Sequence, residues 1–215
     1  MKSAIPRSAA LAVVATISLA ACTSGGGPAK STARGQVAET TTSGPAVKPV
    51  RSMDELSKAL DLTVPDGYAL QPDNVDDTGP SDLEKAVADD GGDDARGVLT
   101  GDHFVRGYQR EWALNPEDQI ITYVYQFGDS AGAADYTKRV TADSGAPPEG
   151  TALGLFSVPG IDGAVGVNGT DPNFPTSSVT FVKGPYSVQI VVNGRKQAGL
   201  QALATSVAEE QYSRL

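Results

Sequence analysis

Residues 177–193 read SSVTFVKGPYSVQIVVN. Two runs dense in β-branched and aromatic residues flank Gly184-Pro185, the composition of two strands joined by a tight turn. In the second run Tyr186, Val188, Ile190 and Val192 alternate with Ser187, Gln189 and Asn193. A period of two places the apolar set on one face and the polar set on the other. It predicts an antiparallel sheet with one buried and one wet face, because parallel strands are buried on both sides.

Working outward, GLFSVPG (154–160) and GAVGV (163–167) read as short strands around a glycine-rich bend. Further upstream Tyr108, Arg110, Trp112 and Leu114 alternate with Gln109, Glu111 and Ala113. After the turn residues Asn115-Pro116-Glu117-Asp118 comes IITYVYQF (120–127), which completes a hairpin. Helices are punctuated between these runs. Ser52-Met-Asp-Glu55 has capping-box spacing and opens a helix through Leu60; Ser81-Asp-Leu-Glu84 repeats the signal, and Gly91-Gly92 stops that helix. Asp129 or Ser130 caps a third, ended by Gly145-Ala-Pro-Pro148. The last carries Leu200, Leu203, Ala204, Val207, Ala208 and Leu215 as an apolar stripe. The expected class is α+β: one domain over residues 51–215, an antiparallel β-sheet covered by helices.

The first 21 residues have the parts of an export signal. Lys2 and Arg7 form a basic start, Ala9 to Ala20 is an apolar core, and Leu19-Ala20-Ala21 leads into Cys22. The core is too short for a resident transmembrane helix, which takes roughly 20 apolar residues, and fits a cleaved signal peptide. Cys22 is the single cysteine of the 215-residue chain. Internal disulfides and paired-cysteine metal or redox motifs are thereby excluded. An ordinary secretory signal with a cysteine near its cleavage site is the alternative. Residues 23–50 are rich in Gly, Ser, Thr, Pro and Ala and contain no aromatic residue. Such a segment buries too little apolar surface to offset the entropy of ordering, so it reads as a tether with a reach of roughly 30 Å.

Charge restricts partners. Residues 51–215 carry 12 basic and 25 acidic residues, the reverse of what a nucleic-acid binder needs, so no nucleic-acid partner is expected. The single histidine, His103, follows Asp102, but no G-x-S-x-G elbow accompanies it for a serine-histidine-aspartate arrangement. There is no P-loop, G-x-G-x-x-G or H-E-x-x-H, so no cofactor is expected. An envelope hydrolase working through a carboxylate pair needs no histidine and is the contrasting function. Tyr68, Tyr123, Tyr125, Phe156 and Phe174 line either an aromatic groove or, more simply, the core.

Between Asp73 and Asp94 stand nine carboxylates and one lysine, Lys85. The run ends in Asp89-Asp90-Gly-Gly-Asp93-Asp94. It reads as a solvated acidic loop whose carboxylates repel one another. The alternative is a calcium loop using Asp89, Asp90, Asp93 and Asp94, although the spacing departs from the EF-hand order and its distal Glu is absent.

A signal ending in Leu-Ala-Ala-Cys resembles the lipobox of bacterial lipoproteins. Together with the tether, the acidic domain, Phe127-Gly-Asp-Ser130 through Tyr136, and FVKGPYSVQIVV before a last helix, the chain is similar to actinobacterial cell-envelope lipoproteins, some of which have a PsbP-like fold. That resemblance implies acylation of Cys22 and a membrane anchor through its lipid. It also implies residence on the extracytoplasmic face of the cell membrane and a non-enzymatic binding or accessory role toward an envelope protein or ligand. It brings no catalytic residue set.

Limited digestion with a protease of broad specificity is expected to cut within residues 23–50, with further cleavage confined to residues 73–95, leaving a resistant core that begins near Arg51. N-terminal sequencing of that core checks the boundary; a core that starts well inside residues 23–50 overturns it.

Overall fold

Ser52 opens the first helix as its spacing predicts. Its hydroxyl accepts from Glu55 N at 3.2 Å, and the Glu55 carboxylate accepts from Ser52 N at 2.9 Å, closing a capping box ahead of α1 (Met53–Ala59). The computed structural model describes residues 52–73, 78–145, 154–169, 171 and 174–215; the export signal, Cys22 and the tether 23–50 lie outside the described residues. After α1 the elements are β1 (Ala69–Leu70), β2 (Gly79–Ser81), α2 (Leu83–Asp90), α3 (Ala95–Gly101), β3 (Phe104–Ala113) and β4 (Gln119–Phe127). Then come α4 (Ser130–Gly145), β5 (Gly154–Ser157), β6 (Val165–Gly169), β7 (Thr176–Lys183), β8 (Tyr186–Asn193) and α5 (Leu200–Arg214).

Two boundaries differ from the sequence reading. Ser81 is the last residue of β2 and pairs with Gly107, so the capping role passes to Asp82, whose carboxylate accepts from Lys85 N at 2.9 Å. Gly91, in the left-handed region at φ 71°, ends α2 as expected. The helix α3 was not expected: ARGVLTG is short and glycine-containing. It forms because Ala95 and Leu99 are fully buried, tertiary packing overriding weak propensity.

Among the described residues the sheet has eight strands in the order β1-β3-β4-β8-β7-β6-β5, with β2 pairing β3 beside β1. All pairings are antiparallel. This is the α+β architecture expected, an antiparallel sheet packed by helices. On one face Tyr108, Trp112, Ile120, Val124, Val179, Phe181, Val188, Ile190 and Val192 form the larger core, covered by α1 and α5. The two helices meet where Gln211 Nε2 donates to Ala59 O at 3.0 Å, and Glu210 accepts from Thr63 N.

The opposite face is not the wet one predicted. At one end α2, α3 and α4 cover it, and Gln109, Thr180 and Ser187 are buried there despite being polar. Thr137 of α4 explains part of this: its hydroxyl is 2.7 Å from Ser187 Oγ and also donates to Ala133 O at 2.8 Å. Side-chain alternation therefore separates an apolar face from a polar one, and both carry helices.

At the β5 end of the sheet Phe156 lies flat over Gly166 and packs on the larger core. A methyl on Gly166 would stand 2.2 Å from the Phe156 ring. Gly166→Ala is expected to unseat that ring and destabilise the domain by about 1–3 kcal/mol, read by urea denaturation; unchanged stability would show that Phe156 is not held there.

Candidate functional site

The polar groups of the second face gather at the C-terminal end of α2. Asp89 and Asp90 are its last residues, where unpaired helix carbonyls disfavour negative charge. Two cations offset this. Lys85, one turn earlier, donates to both Asp89 oxygens at 3.0 and 2.9 Å and to Gln109 Oε1 at 2.9 Å. Arg139, from α4, pairs with Asp90. The side chains of Asp89 and Asp90 are only 13% and 4% exposed.

Tyrosines complete the cluster from below. Tyr125 OH donates to Asp89 Oδ2 at 3.2 Å, and Tyr136 OH donates to Asp90 Oδ2 at 3.1 Å. Their rings pack with Phe104 and Phe127 at centroid separations of 5.2–5.9 Å, and the Arg139 guanidinium lies 5.2 Å above the Tyr136 ring. Burial foremost, then coupling to the neighbouring Tyr136 phenol and the charge of Asp89, pushes the Tyr125 hydroxyl far above the ordinary phenol range; burial and then Asp90 do the same to Tyr136. Both stay protonated and act as donors. Gly107 lets the Tyr125 ring lie against β3, since a Cβ there would stand 2.4 Å from it. Beside the cluster Gln109 Nε2 and Ser81 Oγ are buried with no hydrogen-bond partner among the described residues.

The acidic run thus divides. Asp93 and Asp94 are exposed, as a solvated loop requires, but Asp89 and Asp90 are partnered and mostly buried. The expectation of a mutually repelling loop is corrected for those two: each faces a cation and a tyrosine hydroxyl. Calcium binding by Asp89, Asp90, Asp93 and Asp94 would require Asp89 and Asp90 to leave Lys85 and Arg139. Among the described residues no group of three or more His, Cys, Asp and Glu side chains is placed to hold a metal ion.

The remaining candidates lie apart from one another. His103 is exposed in the turn from α3 to β3, with φ 61° and its carbonyl accepting from Gly128 N at 2.8 Å. Burial, then the charge of Asp135, raises the carboxyl of Asp102 above its usual range. The aromatic residues do not share a groove. Tyr68 and Phe156 pack on the larger core, Tyr125 on the smaller, Tyr123 is half-buried and Phe174 is 72% exposed. Of the cluster's members, only the four-residue spacing of Lys85 and Asp89 was visible in sequence. Arg139, Tyr136 and Gln109 are brought in by the fold.

Because neutralising one partner strands a poorly hydrated charge on the other, Asp90→Asn is expected to cost about 2–4 kcal/mol, whereas Asp93→Asn should stay within about 0.5 kcal/mol. Denaturant melts of the two variants check this; equal effects would return Asp90 to the solvated class.

Comparison with known proteins places the architecture. No family model and no curated protein matches the sequence. Among solved structures, the extracellular domain of PknH from Mycobacterium tuberculosis is similar with a TM-score of 0.52 and 13% identity, over 78% of this chain and 97% of that one. At that identity the likeness is one of fold.

Proposed function

We propose that the chain is a lipoprotein of the actinobacterial cell envelope, acting as a non-enzymatic binding or accessory module. Residues 1–21 direct export and are removed. Cys22 carries the lipid and becomes the mature N-terminus, residues 22–50 tether it, and residues 51–215 form the working domain on the extracytoplasmic face of the membrane. The carrying observation is Leu19-Ala20-Ala21-Cys22 at the end of an apolar core, with the chain's only cysteine at that point. Two or three acyl chains, at about 0.8 kcal/mol per buried methylene, hold a domain at a bilayer far more firmly than one.

Two further observations support the reading. The fold is shared with a domain that is extracellular in an actinobacterial protein. Within the domain, the ionisable groups of the buried cluster are directed at one another: Lys85 at Asp89, Arg139 at Asp90, and each tyrosine at a carboxylate. Groups so engaged hold α2 and α4 to the sheet, a structural use of charge.

Mass analysis of the membrane fraction should find a diacylglycerol-modified Cys22 at the mature N-terminus, and Cys22→Ala should leave the protein uncleaved or released from the membrane. Unmodified wild-type protein, wholly soluble after fractionation, overturns the anchor.

A further inference from the structure

The last strand of the sheet, β5, pairs on one side with β6, and no described strand pairs with its other edge. Natural sheets blunt such edges with lysine, proline or a bulge. Gly154-Leu-Phe-Ser157 has none of these, and its register with β6 is regular. Leu155 is 70% exposed on the face opposite Phe156. At the Ser157 end of this strand lies an open groove of about 540 Å³ between β5 and the outer flank of α5, lined by Ser157, Pro159, Ala202, Thr205, Ser206 and Glu209. Its helix wall, Gly199 to Glu209, rises about 15 Å, the span of four or five extended residues.

We propose that this edge and groove form a docking site for an extended segment of a partner protein, which adds to β5 as a further strand. Backbone groups of the segment pair with the β5 edge. Alternate side chains, small ones, enter the groove against Ala202, Thr205 and Ser206, and the intervening ones cover Leu155. Among the described residues Glu209 is the sole charged one lining the groove; it is exposed and belongs to a domain with a large excess of carboxylates. The segment is therefore cationic at the residue that meets Glu209. The same acidity opposes a second copy of this chain, whose domain would bring like charge. In an antiparallel arrangement the segment's N-terminal residue reaches Glu209, because β5 and α5 both run toward that end: Asn168, paired with Gly154, contacts Gln201, and Ser157 lines the groove with Glu209.

The inference rests on reading the domain as a binding module, and the two fail separately. A soluble Cys22 overturns the anchor but leaves the groove intact, while peptide binding in solution tests the groove alone. The probe is the amidated hexapeptide Lys-Val-Thr-Val-Thr-Val, titrated into the full purified chain and followed by amide hydrogen exchange and ¹⁵N chemical shifts. Exchange at Gly154–Ser157 should slow and shifts should appear along Ala202–Glu209. A peptide with Glu in place of Lys should bind about threefold more weakly, and Glu209→Lys should invert that preference. Ser206→Arg, a change on the exposed helix face, should abolish both responses while leaving the melting temperature unchanged. Three results would overturn the proposal: no response of β5 to either peptide at millimolar concentration, a lysine preference that survives Glu209→Lys, or a β5 edge already protected without peptide, by a second copy or by residues 23–50.

Discussion

The pleat of β4, β8 and β7 is the constraint on which the remaining structure depends. Successive side chains leave a strand on opposite faces, so the pairing of Val124 with Val188 and of Val188 with Phe181 puts all three on one side. A slip of one residue would exchange that side with the one carrying Tyr125, Ser187 and Val182. Each face then selects its helices. The apolar one takes α5, whose Leu200, Ala204, Val207 and Ala208 are buried against it, and α1 beside it. The polar one takes α4 through Thr137 and Ser187.

The second face shows how a polar surface is covered. Hydroxyls and amides removed from water must find partners, each one left alone costing about 1–3 kcal/mol. At the α2 end this is met in part by an ionic network, while Gln109 Nε2 and Ser81 Oγ stay without a partner among the described residues. Asp89 and Asp90 stand at an unfavourable helix end and are held by Lys85, Arg139 and two tyrosine hydroxyls. Such a network adds little net stability over an apolar replacement but makes the geometry specific, since removing any one member leaves another charge or donor without its partner. The aromatic rings beneath supply the apolar part of that contact.

Opposite ends of the sheet are finished differently. At the β3 end the edge is shared by the short strands β1 and β2. At the β5 end it is left without a described pairing strand, beside the groove along α5.

How much of this was legible in the chain follows from the range of the interactions. Alternation in YSVQIVV, the Ser52–Glu55 capping box, the glycine stops and the stripe of α5 are all local, and they were sufficient for the α+β class, for most elements and for the larger core. The signal pattern and Cys22 are local as well, which is why the sequence carries an expectation of address but none of activity. What needed the fold was non-local. Arg139 meets Asp90, and Tyr125 meets Asp89, across dozens of residues with no periodicity to mark the pairing. The sequence by itself determined which side chains share a face, because the pleat has a period of two. Only the tertiary structure decided that the polar face is also covered and that half of an apparently solvated acidic run is buried, because burial depends on which distant helix supplies the opposing charge.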